Sequence, residues 1–185
     1  MIILLVKFLK MSVEHLEMIR NWRNSPDVKK YMYTDQYITE KAHHNWYNRV
    51  KDDTTKVYWV IEVDKILVGL VNLYNIDNLN KRCYWAYYLA DPSVRGKGLG
   101  RLIELNILSY IFENLGLNKL CCEILGFNDI VVKIHQKYGS KIEGNFRQHI
   151  NKGGKFFDIV CMGILKEEWI DIKKNFEFEK ILIEK

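Results

Sequence analysis

The chain has 185 residues, 48% of them hydrophobic, a formal net charge of +5 and four cysteines. This length sets one domain, at most with a small extension, and the apolar content is ample for a core. Two prolines, no Ser/Pro/Gly-rich linker and no repeat period argue against a multidomain, solenoid or disordered chain, and no apolar run approaches membrane-spanning length. The basic balance favours polyanionic ligands but is ordinary for a soluble protein. It is the sole support for nucleic-acid binding, since no recognised nucleic-acid motif joins it. Cys83, Cys121, Cys122 and Cys161 lack metal-ligand spacing and read as buried free thiols of a cytoplasmic protein. The histidines form no metal-binding pattern, so no metal site is expected.

Residues 2–8 read as a first strand, not a signal peptide, because the apolar start meets Lys7 with no basic segment before it. Ser12 stands where a helix cap would, and the helix it opens runs to about Asn24, with Glu14 in its first turn. Pro26 then interrupts or redirects the chain. Thr39 caps a second helix whose expected apolar face is Ala42, Trp46, Tyr47 and Val50. Residues 57–63 and 66–74 are β-rich runs joined at Asp64-Lys65, a hairpin pattern. A third run, 82–89, follows the polar turn 77–80.

The organisation then changes. Residues 99–115 show helical periodicity, with apolar side chains at 99, 102, 103, 107, 110 and 111 and Gly116 as a closing cap. A strand at 119–125 follows. Strand, helix, strand implies a right-handed crossover and a parallel pair. Asn128 opens a short helix that reaches Tyr138 and stops at Gly139. Residues 140–150 and 155–165 form a last hairpin about 151–154, and the tail from Lys166 reads as helical or irregular. The expected fold is α+β: a mixed, mostly antiparallel sheet with one parallel pair, in a single domain spanning residues 1–185.

Between the 82–89 strand and the crossover helix lies Arg95-Gly96-Lys97-Gly98-Leu99-Gly100-Arg101. Glycines let a backbone approach a ligand closely, and the first amides of a helix lack internal partners and carry partial positive charge. With three cations beside them, they suit a phosphate. The bland alternative is a turn that binds nothing. A dinucleotide-binding fold would need repeated crossovers and G-x-G-x-x-G, and a Walker A loop is also absent.

With its R-x-x-G-x-G signature at Arg95, Gly98 and Gly100, the chain resembles the GNAT superfamily of acyl-CoA-dependent N-acetyltransferases over nearly its whole length. The resemblance implies that Arg95, Gly96, Lys97, Gly98, Leu99 and Gly100 hold the coenzyme A pyrophosphate. It also implies that Tyr88, Leu89 and Ala90 lie along the pantetheine like an added strand and that Asn128 touches the same arm. Trp22-Arg23-Asn24, His43-His44-Asn45-Trp46 and 134–139 resemble the UDP-amino-sugar N-acetyltransferases of the pseudaminic-acid pathway, a branch similar to the enzymes that acetylate N-terminal residues of ribosomal proteins. That implies acetyl transfer from acetyl-CoA to the 4-amino group of a UDP-linked sugar, with Arg23, Asn24, His43 and Trp46 on the acceptor side. A homodimer is an assembly open to it.

Direct attack needs no enzyme nucleophile. His135 lies two turns after Asn128 on one helix face and stands where many relatives carry a tyrosine acid. It is either the proton donor or a histidine packed beside Val131 and hydrogen-bonded to backbone. Tyr138 is the reserve donor or a core aromatic. Tyr84 stands where some relatives place a glutamate base, so Glu123 becomes the candidate end of a proton path, or else a solvated strand residue. Arg23 either pairs with a sugar-nucleotide phosphate or is an ordinary helix arginine. Trp46 is core or a stacking platform. Two further readings are a protein N-terminus or small amine as acceptor, and a non-catalytic acyl-CoA-binding module.

Overall fold

The computed structural model describes residues 5–185, so residues 2–4 of the expected first strand lie outside the described residues. Strand β1 is Val6–Lys10. Ser12 precedes a short 3-10 turn, Val13–His15, and then helix α1, Leu16–Asn24. Pro26 does not merely break the chain. It occupies the first turn of a four-residue helix, α2 (Pro26–Lys29), where its missing N–H has no partner to lose. Thr39 Oγ1 accepts from the Ala42 N–H at 3.2 Å and opens α3, Glu40–Val50. The inward face of α3 is His43, Trp46, Tyr47 and Val50; Ala42, expected there, is exposed.

Strands β2 (Val57–Val63), β3 (Ile66–Asp77) and β4 (Arg82–Leu89) form the antiparallel meander. Asp64 and Lys65 both take positive φ (50° and 69°), the geometry that matches the twist of a two-residue hairpin. Helix α4 (Leu99–Ser109) ends in a π-helical turn, Tyr110–Asn114, and leads to β5, Lys119–Leu125. Helix α5 (Asp129–Lys137), strands β6 (Lys141–Lys152) and β7 (Lys155–Leu165), helix α6 (Lys166–Lys173) and β8 (Leu182–Ile183) complete the fold.

One eight-stranded sheet runs β6-β7-β5-β4-β3-β2-β1-β8. The tail expected to be helical or irregular does both and adds a strand, with β8 parallel to β1 at Lys7 and Phe8. Trp59 Nε1 donates to the Glu184 carbonyl at 2.7 Å, and Asn106 on α4 holds both the Glu179 carbonyl and the Ile181 N–H. The main core lies between one sheet face and α4, α5 and α6, with Phe8, Trp59, Ile103, Leu105, Ile107 and Trp169 among its closed side chains. Each such side chain stabilises the fold by about 1.5–3 kcal/mol relative to exposure. On the opposite face α1 packs a smaller cluster, Ile19, Val60 and Leu70 with Trp22, Tyr58 and Tyr88. No helix among the described residues is long and apolar enough to cross a membrane.

Candidate active site

The site begins where the sheet splits. The parallel ladder of β4 and β5 has three residue pairs, Arg82–Lys119, Cys83–Leu120 and Tyr84–Cys121. Beyond Tyr84, β4 keeps its β3 partner as far as Leu89 but has none on its β5 side. From Trp85 and Cys122 onward the strands part, since β5 continues to pair with β7 through Leu125.

At the far end of β4 the chain turns through Pro92–Val94 into the glycine loop. Gly96 and Gly98 have φ of 75° and 81°, and no atom lies within 4 Å of a Cβ built on either. Gly98 is the residue before α4 and its carbonyl accepts from the Leu102 N–H, so the amides of Leu99, Gly100 and Arg101 have no partner within the helix. Leu99 is buried and anchors the helix start, while Gly96, Lys97 and Gly98 are exposed. Two open left-handed glycines ahead of free helix amides fit a diphosphate. Arg95 folds back to the Leu89 carbonyl at 3.3 Å. Arg101 points to the tail instead and donates to the Glu177 carbonyl at 2.7 Å. Ala90 donates its N–H to the Val68 carbonyl at 2.8 Å, so that amide is not free for a pantetheine arm, contrary to expectation. Asn128 sits at the head of α5 but its side chain makes no capping bond, which leaves its amide available.

On the α4/α5 face of the opening, His135 is 4% exposed and its ring lies 5.3 Å from that of Trp85. Nδ1 is 2.6 Å from Oε1 of Glu104, a carboxylate on α4 that is 1% exposed. The backbone-bonded histidine of the bland reading is therefore replaced by a carboxylate-bonded one. Glu104 escaped the sequence reading. Its signal in the sequence is that it is the one charged residue in the run 102–112, and the fold buries all of 103–109. Tyr138 belongs to the core, 4% exposed with its ring 5.4 Å from Phe176 of the tail, and burial, then the Glu104 charge, pushes its phenol up.

On the α1 face the strand residues Tyr74, Tyr84, Ala86 and Glu123 lie beyond the patch that α1 covers. Tyr74 and Tyr84 pair at 5.5 Å. Tyr33, from the α2–α3 loop, donates to Glu123 Oε2 at 2.8 Å, and burial followed by that hydrogen bond pushes its phenol well up. The loop is held at both ends. Lys152 Nζ donates to the carbonyls of Lys29, Lys30 and Met32, and the Asn24 amide makes two bonds to Ile38, at 2.8 and 2.9 Å. Asn24 thereby clamps the loop, with one amide N–H and one carbonyl lone pair outside those two bonds.

Arg23 is half-buried, and among the described residues no carboxylate lies within 4.0 Å of it. Burial pulls its guanidinium down, partly offset by Tyr88 and Tyr58. The Tyr88 hydroxyl is buried without a partner. His43 stacks on Trp46 at 5.0 Å, and Trp46 meets Tyr58 edge-on at 5.1 Å, so Trp46 is a packed aromatic, not an open platform. Burial, then Arg20, pushes His43 down, and it lines a cavity of about 320 Å³ between α1 and α3 that no glycine-loop or β4–β5 residue reaches. Among the described residues no three His, Cys, Asp or Glu side chains are gathered as for a metal.

A family profile, the acetyltransferase (GNAT) domain, matches residues 6–141. The chain belongs to the GNAT acetyltransferase family. The enzyme is 30% identical over 133 residues to acetyltransferase PseH of Campylobacter jejuni, covering 72% of this chain and 81% of that one. It is 24% identical to spermidine N(1)-acetyltransferase of Escherichia coli K12, covering 89% and 88%. Its fold is that of a spermidine N-acetyltransferase from Vibrio cholerae solved with CoA and spermine: TM-score 0.83, 23% identity, 89% of this chain and 98% of the other. As a GNAT acetyltransferase it is an acetyl-CoA-dependent acyltransferase, and the split between β4 and β5 beside a glycine loop is the expected architecture of one.

Proposed function

We propose that this acetyltransferase acylates the 4-amino group of a UDP-linked amino sugar. The glycine loop from Arg95 to Gly100 takes the CoA diphosphate, the β4 edge near Leu89 and the Asn128 amide take the pantetheine, and the thioester lies where β4 and β5 part. Holding both reactants at attack distance can lower the barrier by roughly 7–11 kcal/mol. A backbone amide near Leu89 polarises the carbonyl. The amine attacks directly, the carbon–sulfur bond breaks, and His135 protonates the departing thiolate. Glu123, already bonded to Tyr33, ends a water path for the proton that the amine sheds.

Arg23 carries the choice of acceptor. A half-buried guanidinium that has no carboxylate partner among the described residues and feels Tyr88 and Tyr58 suits an anion such as a nucleotide-sugar phosphate. The similarity to PseH supports the same reading. A small cationic amine such as spermidine is the second reading, favoured by the Glu123 carboxylate and by the spermidine-acetylating relatives. Thiol release from acetyl-CoA, assayed with a UDP-4-amino-4,6-dideoxy sugar and with spermidine, separates them. Sugar turnover with a KM raised about tenfold or more by Arg23→Gln is expected; turnover of spermidine and not of the sugar would overturn the proposal.

A further inference from the structure

Glu104 is the least expected charge in the molecule. It sits on the crossover helix among Ile103, Leu105, Ile107 and Leu108, all 1% exposed or less. One carboxylate oxygen meets His135 Nδ1 at 2.6 Å, and the other is buried with no partner among the described residues. An apolar side chain here would complete the core, whereas an under-bonded buried carboxylate carries a desolvation cost that its contacts only partly offset. Burial, then the Glu104 charge, pushes up Tyr87 on β4, Tyr138 at the end of α5 and Cys122 on β5, so these three neighbours stay neutral. Arg101 acts on Tyr138 and is bonded to the tail. His135 is therefore the one basic side chain within 4.0 Å of Glu104 among the described residues.

The pair also has a telling position. His135 packs against Trp85, and the Glu104 charge is felt by Cys122. Trp85 and Cys122 are the first residues of β4 and β5 beyond the last ladder pair. The carboxylate and imidazole thus stand over the vertex of the split, where the proposed function puts the thioester.

We propose that Glu104 is a positioning residue for His135, an extension that rests on the reading of His135 as proton donor. In this role Glu104 is the carboxylate, which can only accept, and Nδ1 carries its hydrogen toward it. That leaves Nε2 as the ring position free for chemistry. In the doubly protonated ring, Nε2–H passes its proton to the CoA sulfur as the carbon–sulfur bond breaks and the new carbon–nitrogen bond forms. The ring keeps its Nδ1 hydrogen on Glu104, the amine releases its spare proton to water, and Nε2 is reloaded from solvent. A fixed tautomer of this kind does for imidazole what a phenol, with its single hydroxyl, does without help.

The test combines Glu104→Gln, His135→Asn and the double variant, with acetyl-CoA and the UDP-4-amino-4,6-dideoxy sugar, or spermidine if that is the amine turned over. Glu104→Gln should lower kcat about 10–100-fold with KM for acetyl-CoA within about twofold, and should have no further effect once His135 is Asn. Losses that multiply in the double variant would overturn the positioning role. An unchanged kcat in Glu104→Gln beside a fall in His135→Asn would overturn it and spare the donor reading; an unchanged kcat in His135→Asn would remove both. Nitrogen-15 ring spectra of His135 in the unaltered enzyme provide a check that does not depend on a variant folding. Neutral His135 should carry its hydrogen on Nδ1, and an Nε2-protonated neutral ring would refute the proposal.

Discussion

Gly98→Ala tests the glycine loop through one strain energy that must surface in one of two places. Gly98 has φ 81° and ψ 0°, and a Cβ there meets nothing within 4 Å. Steric clash therefore contributes nothing, and the cost is that of a left-handed L-residue, about 1–2 kcal/mol. If the loop of the variant keeps its shape, folding loses that amount, and a chain of this size should melt about 2–8 °C lower. If the free loop relaxes, the midpoint holds and the strain is met on binding, which weakens CoA about 5–30-fold. Melting curves and calorimetry with CoA should together account for about 1–2 kcal/mol. Pantetheine, which lacks the diphosphate, should bind as before. Gly100→Ala is the control: its φ is not positive, and its new methyl meets only the Tyr87 hydroxyl, at 3.3 Å. Unchanged melting and unchanged CoA affinity in Gly98→Ala would refute the view that this backbone shape is what binds the anion.

Burial pushes the Cys83 thiol up to about 12 and also raises Cys121 and Cys122, whereas Cys161, expected to be buried, is only half-buried, so a disulfide reagent at pH 8 should release at most one rapid equivalent from folded protein and four in denaturant. Asp53 is held down to about 2, first by Lys56 and then by Thr55. Because its folded value lies below its unfolded one, its contribution is full above about pH 4 and is lost as pH falls through about 2, so Asp53→Asn should lower the melting midpoint at pH 6 and lower it progressively less as pH falls through 2. Lys152→Met removes the ammonium that joins three carbonyls of the α2–α3 segment. It should speed hydrogen exchange over residues 30–38 and raise the acceptor KM about tenfold, with CoA affinity unchanged.

Local patterns in the sequence located β2, β4, β5 and β7 to the residue, because each is a short apolar run bounded by turn chemistry that only one register satisfies. The glycine loop was legible for the same reason: Gly96 and Gly98 do adopt the backbone angles that single out glycine. Contacts between distant segments were not legible. Nothing near residue 182 announces a partner at Lys7, and Asn24 looks like any helix-end amide until the chain returns to Ile38. His135 shows the limit most clearly. Its helix face was readable from spacing, but its partner is 31 residues away on another helix. The same holds for Tyr33, which meets Glu123 across 90 residues of chain.

The short β4–β5 ladder gives these separate contacts a common origin. A sheet that stayed paired past Tyr84 would bury the edge of β4 and wall off α4 and α5 from the α1 side. Three pairs suffice to hold the strands in register at one end, while β3 and β7 support each strand from outside, so the parting needs no strain in either. Alternation then divides the groups. Trp85 and Cys122 turn toward Glu104 and His135, while Glu123 turns toward Tyr33 and Tyr84 pairs with Tyr74. The donor and the acceptor of the proposed mechanism, His135 and Glu123, thus lie on opposite faces of one sheet while both border the gap where its ladder ends. Amide formation from a thioester needs that separation, since the amine must lose a proton while the sulfur gains one.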